Sequence, residues 1–205
     1  MTIISFVTYR SFGPPINAIE RDCKRFIKVI KGDSSDQPEG LDIKSRSEAL
    51  DWFGELAALT LKSKQLFLPI VLIPIPNSDC SLSSVRIPRT LALADAVAEH
   101  IRGAVVSDCL RWRHSLRPSH LGGTRNPQRL YKCLVVKEGV KSGTLVLVDD
   151  IVSSGSHVRA AAAKLSRLVF PCVYAICAGH TEWQNPSHCF SIGERVIPDF
   201  RPGHC

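Results

Sequence analysis

The chain has 205 residues, 44% hydrophobic and 22% charged, enough to fill the core of one ordinary α/β domain and too apolar for a disordered tract. A formal net charge of +7 suits an anionic ligand or partner, yet no dense Lys/Arg block with interleaved aromatics accompanies it, and no apolar run reaches membrane-spanning length. The eight cysteines include no C-x-x-C pair, which excludes zinc-finger spacing.

Ile3–Tyr9 opens the chain as a strand rich in β-branched and aromatic residues. Its apolar part, Ile3 to Val7, is too short for a secretory signal and is followed by Arg10, so the expectation is a cytoplasmic protein with reduced thiols, Cys172 and Cys177 lying in the core. Gly13-Pro14-Pro15 is a turn. Asn17–Ile30 carries Ile19, Cys23, Phe26, Ile27 and Ile30 at helical spacing, with its Lys and Arg residues as the solvated face. Gly32–Leu41 reads as an exposed loop and Arg46–Lys62 as a second helix. A strand follows at Phe67–Pro76, then a loop at Asn77–Ser84, an alanine-rich helix at Pro88–Ile101 and a short strand beginning at Val105-Val106.

Arg111–Tyr131 is long, basic and poorly periodic; a loop of this length inside a compact domain is usually functional. A strand through Val146, a helix over Val158–Leu168 and a strand over Cys172–Ala178 come next. Beyond His180 the prolines 186, 198 and 202 read as loop plus a short hairpin. The alternation of strands and helices predicts one domain over residues 1–205, with a mostly parallel sheet covered on both faces and ligands at the carboxyl ends of the strands.

The most informative stretch is Val146-Leu-Val-Asp149-Asp150-Ile-Val-Ser153-Ser154-Gly155-Ser156. An apolar strand ends in two adjacent carboxylates, and a small hydroxyl-rich loop then leads into a helix. Main-chain N–H groups at a helix start hold phosphate, the hydroxyls add donors, and glycine lets an anion approach closely. A buried strand ending in a polar turn would account for the apolar run, but not for the paired carboxylates and the Ser-Ser-Gly-Ser loop together.

This pattern resembles the phosphoribosyl-pyrophosphate (PRPP) motif of the type I phosphoribosyltransferases. The resemblance implies an α/β fold with a central, mostly parallel sheet flanked by helices and a small hood built from the chain ends. It implies that Asp149 and Asp150 hold the ribose hydroxyls, partly through Mg²⁺, and favour a positive ribose in the transition state. Ser153, Ser154, Gly155, Ser156 and His157 would hold the 5′-phosphate. The family's pyrophosphate loop corresponds to Ile73–Cys80, so Pro76, Asn77, Ser78 and the nearby Arg86 would meet pyrophosphate, with Arg89 beside them. A mobile loop that closes over the site corresponds to the basic segment with Arg113, Arg117 and Arg125.

Within the family, Arg113-His-Ser-Leu-Arg-Pro-Ser-His, Arg125-Asn-Pro-Gln-Arg-Leu and the Tyr9 region are similar to the competence-protein ComF branch, although the Thr and Gln positions of that branch and its cysteine-rich zinc element are missing. The implied reaction transfers ribose 5-phosphate from PRPP to a small-molecule nitrogen acceptor, a nucleobase, with release of pyrophosphate. Dimers are common among similar proteins, which suggests a homodimer. Two other readings stay open: a PRPP- or nucleotide-sensing protein without turnover, and a nucleic-acid-linked protein like the ComF branch, associated with DNA uptake. His114, His120 and His180 read as ordinary surface or core histidines; His157 follows the phosphate loop directly. Trp183 and Phe200 are aromatic candidates for stacking on a base, and packed aromatics otherwise.

Overall fold

The computed structural model describes residues 1–32, 43, 45–118, 121–137, 140, 142–167, 174–184, 186 and 188–203. Most of the expected loop at Gly32–Leu41, together with His120, Cys172 and Cys205, lies outside the described residues.

Strand β1 (Thr2–Arg10) is followed by helices α1 (Ala18–Lys31) and α2 (Arg46–Ser63), strand β2 (Ile70–Pro74), helix α3 (Arg89–Glu99) and the short strand β3 (Val105–Val106). Then come β4 (Leu110–Trp112), α4 (Pro127–Cys133), β5 (Leu134–Val136), β6 (Thr144–Val152), α5 (Ser156–Ser166), β7 (Tyr174–Glu182) and β8 (Phe190–Val196). The main sheet has six strands in the order β3-β2-β6-β7-β1-β8, all pairs parallel except β1 with β8. The expected α/β architecture, a mostly parallel sheet flanked by helices, is therefore present.

Residue alternation along the strands divides the core in two. Ile4, Leu72, Val146, Val148 and Ile176 point to one face, where they pack with Phe26, Phe53, Leu61 and Leu93 of α1, α2 and α3. Ile3, Val71, Leu145, Leu147 and Ala175 point to the other, against Leu130, Val158 and Leu165 of α4 and α5. Continuous apolar runs in the strands are the sequence form of this two-sided burial. Local signals set the helix ends. The Asn17 side chain accepts from the Glu20 N–H at 2.8 Å to start α1, and Gly32 ends it in the left-handed region with φ 74°.

Three expectations are corrected. Arg111–Tyr131 is not one long loop: it holds β4, paired antiparallel with β5, and most of α4, which contains Arg129. Trp112, fully buried, supplies the packing that its irregular periodicity concealed. The tail forms no hairpin with β7; β8 crosses to pair antiparallel with β1, at the edge beyond it. The strand expected from Phe67 begins at Ile70.

Candidate active site

β2 stops before β6 does. Pro74 lies opposite Val148, the Ile75 N–H donates to the Val148 carbonyl at 2.9 Å, and β6 then runs on to Val152 with β7 as its remaining neighbour. Asp149 and Asp150 stand at this open step in the sheet. Asp149 is buried and its Oδ1 accepts the Asp150 N–H at 2.9 Å. Burial, and then the charge of Asp150, push its carboxyl well above the ordinary range. Asp150 faces the helices: its Oδ2 lies 3.5 Å from Arg89 Nη2 and 3.9 Å from Lys31 Nζ. Lys31, one residue beyond the helix expected over Asn17–Ile30, thus reaches the site from the last residue of α1. Burial, and then Asp150, raise the Tyr9 phenol.

Downstream, Gly155 adopts φ 73° and turns the chain into α5. A small crevice is lined by Ser153, Ser154, Gly155, Ser156, His157 and Arg125. The Ser154 and Ser156 hydroxyls are 2.9 Å apart, and Ser156 donates to the Arg125 carbonyl at 2.5 Å. The Ser156 side chain is therefore buried and engaged with the protein's own backbone, whereas the main chain at the start of α5 borders the crevice. Burial lowers the His157 pKa, so the ring is neutral at pH 7. Its edge packs against Trp112 with ring centroids 5.7 Å apart.

The third stretch leaves β2 as Ile75–Ser78. Thr90 Oγ1 donates to the Ile75 carbonyl at 2.7 Å, and Asn77 Oδ1 accepts the Arg89 N–H at 2.7 Å, which fixes the loop to the start of α3. Arg86 is exposed and pairs with Asp79 at 2.5 Å, a partner the sequence reading did not assign to it.

These stretches surround one cleft of about 880 Å³. Asp149, Asp150, Ser153 and His157 line one side and Pro76, Asn77, Ser78 and Arg86 another, with Arg117 and Arg125 reaching in from the basic segment. Arg113 is not among the lining residues; its N–H donates to the Cys133 carbonyl at 2.7 Å, prolonging the β4–β5 ladder. Tyr9, Lys31 and Arg89 join the lining. A second cavity, about 700 Å³, shares Ser11, Arg125, Ser153 and Thr181 with the first and adds Phe12, His180, Glu182, Trp183 and Arg195. Phe200 lies elsewhere, edge-on to Tyr131 at 6.2 Å.

Among the described residues no group of three or more His, Cys, Asp or Glu is placed to hold a metal, and no helix is long and apolar enough to cross a membrane. The described cysteines 23, 80, 109, 133, 177 and 189 are free thiols. A scan against protein-family models finds no match, and a search of curated proteins finds none either.

Proposed function

We propose that this chain is a Mg²⁺-dependent phosphoribosyltransferase of the type I fold, which moves ribose 5-phosphate from PRPP to a nitrogen acceptor and releases pyrophosphate. The observation that carries this reading is the convergence of the stretches 149–157 and 75–89 with Arg117 and Arg125 on one cleft. A paired carboxylate, a helix-start anion loop and a second main-chain loop flanked by arginines match the ribose, the 5′-phosphate and the pyrophosphate of PRPP.

In this reading the main-chain N–H groups at the start of α5 hold the 5′-phosphate, together with Arg125. Asp150 orients the ribose hydroxyls, and the two carboxylates favour positive charge at C1 as the bond to pyrophosphate breaks. Asn77, Ser78, Arg86 and Arg89 receive the pyrophosphate, and much of the rate comes from positioning. Mg²⁺ fits these residues, because it binds through one or two carboxylates plus phosphate oxygens and water and needs no larger protein cage. A cation beside Asp149 and Asp150 would also relieve the repulsion that raises the Asp149 carboxyl. When bound, it would neutralise charge on the departing pyrophosphate.

The test is pyrophosphate release from Mg-PRPP across purines, pyrimidines and small amines, with Asp150→Asn as control. Release that falls about 10²-fold or more in the variant supports the reading. Full activity in Asp150→Asn, or no binding of Mg-PRPP to the wild type, would overturn it. Binding without release from any acceptor would instead support a PRPP sensor.

A further inference from the structure

A separate cavity of about 220 Å³ lies between α5 and the segment that follows β8. Arg159, Ala162 and Ala163 line it from the helix, and Asp199, Phe200 and Arg201 from the segment. None of its lining residues borders the cleft of about 880 Å³ or the cavity of about 700 Å³. Ala162 and Ala163 stand three and four residues after Arg159, on the same face of α5, and are too short to fill the space.

Arg159 is the unusual member of this wall. Its Nε is shut off from solvent and has no hydrogen-bond partner, the one such side-chain atom among the described residues. The Phe200 ring stands over the guanidinium, 6.0 Å from Cζ to the ring centre. A ring face attracts a cation but leaves its N–H donors without true acceptors. Among the described residues no carboxylate pairs with Arg159. Asp199, the carboxylate of the cavity wall, is 83% exposed and lies 3.4 Å from the Met1 ammonium. A guanidinium held partly out of water with no acceptor is costly, and an anion beside it would remove that cost.

The surroundings are positive as well. Arg201 is exposed at the same cavity. Next to it, Lys164 Nζ lies 4.2 Å and Arg167 Cζ 5.5 Å from the centre of the Tyr131 ring, which itself packs on Phe200. Burial, and then Arg113 and Arg167, lower the Lys164 pKa, as for an ammonium crowded by other cations.

We infer that this cavity binds a small oxyanion, of the phosphate or short-chain carboxylate type, which pairs with the guanidinium groups of Arg159 and Arg201. Guanidinium N–H donors match the paired oxygens of such anions. The volume sets the size of the ligand. Sites for drug-sized molecules begin at about 300 Å³, so phosphate or a carboxylate of a few carbons fits and a nucleotide does not. The inference is independent of the phosphoribosyltransferase reading and stands or falls without it.

Amide NMR of the full chain tests this, with inorganic phosphate, acetate and succinate as probes and chloride at equal ionic strength as the control. Saturable shifts are expected at Ala162, Ala163 and Phe200 with phosphate or with a carboxylate, and the tighter probe tells the two sources apart. Arg159→Met keeps most of the stem and removes the guanidinium. Affinity read at those amides should fall about 10-fold or more, as for loss of a hydrogen bond to a charged group. Arg159→Lys keeps the charge without the fork and should recover only part of the loss. Arg201→Met, at an exposed position, should also weaken binding and serves if the Arg159 variants do not fold. Shifts confined to residues 153–157 would place the anion in the phosphate loop alone and overturn the inference. Shifts that chloride reproduces, no saturation with any probe, or wild-type affinity in the folded variants would overturn it too.

Discussion

The indole N–H of Trp112 donates to the Pro76 carbonyl at 3.0 Å, in a fully buried position. The same indole and the His157 ring meet at a steep angle, so one side chain braces the loop after β2 and the first turn of α5. Trp112→Phe keeps most of the ring but leaves the Pro76 carbonyl without its donor. The expected cost is about 1–3 kcal/mol of folding stability, read by urea denaturation. If the proposed function holds, Mg-PRPP affinity should fall as well, because two stretches bordering the cleft lose their common brace. A variant that matches the wild type in both measurements would show that the loops stand independently.

Gly54 has the opposite meaning from an ordinary helical glycine. A methyl there would lie 2.4 Å from the Ala96 carbonyl oxygen, so α2 and α3 approach at this point with no room for a side chain. Alanine in a helix interior normally stabilises by about 1 kcal/mol relative to glycine. Here Gly54→Ala should destabilise by about 1–3 kcal/mol, as overpacking forces two backbones apart. Thermal melting decides the sign.

Asp149 carries a pH signature. Its carboxyl is raised by burial and by Asp150, so the unfolded chain loses this proton first as pH rises. The group thus costs stability above the ordinary aspartate pKa of about 4, increasingly until the folded value is passed. Asp149→Asn keeps the oxygen that accepts the Asp150 N–H and removes the charge. Its melting temperature should exceed that of the wild type at pH 7 and converge with it below about pH 4. Unchanged spacing between the two curves across that range would contradict the raised carboxyl.

Glu20 behaves in the reverse way. It is 1% exposed and gathers the Ile16 N–H at 2.8 Å, the Arg10 N–H at 3.2 Å and Nε at 3.3 Å, with Lys24 at 3.4 Å. Burial alone would raise its pKa, but the hydrogen bonds from Ile16 and Arg10 outweigh that and hold it below the ordinary value. Its contribution is present at neutral pH and is lost as pH falls through the lowered value. Glu20→Ala should cost about 3 kcal/mol at pH 7 and much less in acid. The same carboxylate ties down both ends of residues 10–16 through the Arg10 and Ile16 N–H groups.

The fold was largely legible because apolar runs in β1, β2 and β6 are long, continuous and separated by helical periodicity. The acidic pair and Ser-Ser-Gly-Ser loop were legible because chemistry and conformation coincide there in consecutive residues. What escaped notice depends on distant partners. Lys31 has the same local spacing as its solvated neighbours, and only the docking of α1 beside β6 brings it to Asp150. Trp112 sits in a strand of three residues, too short for a period to show. Glu182 ends β7 and Arg195 lies in β8, and they border one cavity although β1 stands between their strands.

Ser156 has a single hydroxyl proton, and it is given to the Arg125 carbonyl. With that proton committed, the contact between Ser156 and Ser154 requires Ser154 to be the donor, so both hydroxyl protons are spent within the protein. An arriving phosphate oxygen must then rely on amide hydrogens, or recruit a serine by breaking this chain. If that serine is Ser156, the Arg125 carbonyl loses its donor as the anion docks. Occupancy of the loop and attachment of the basic segment would then be alternatives drawing on one proton, a latch whose key is the ligand itself.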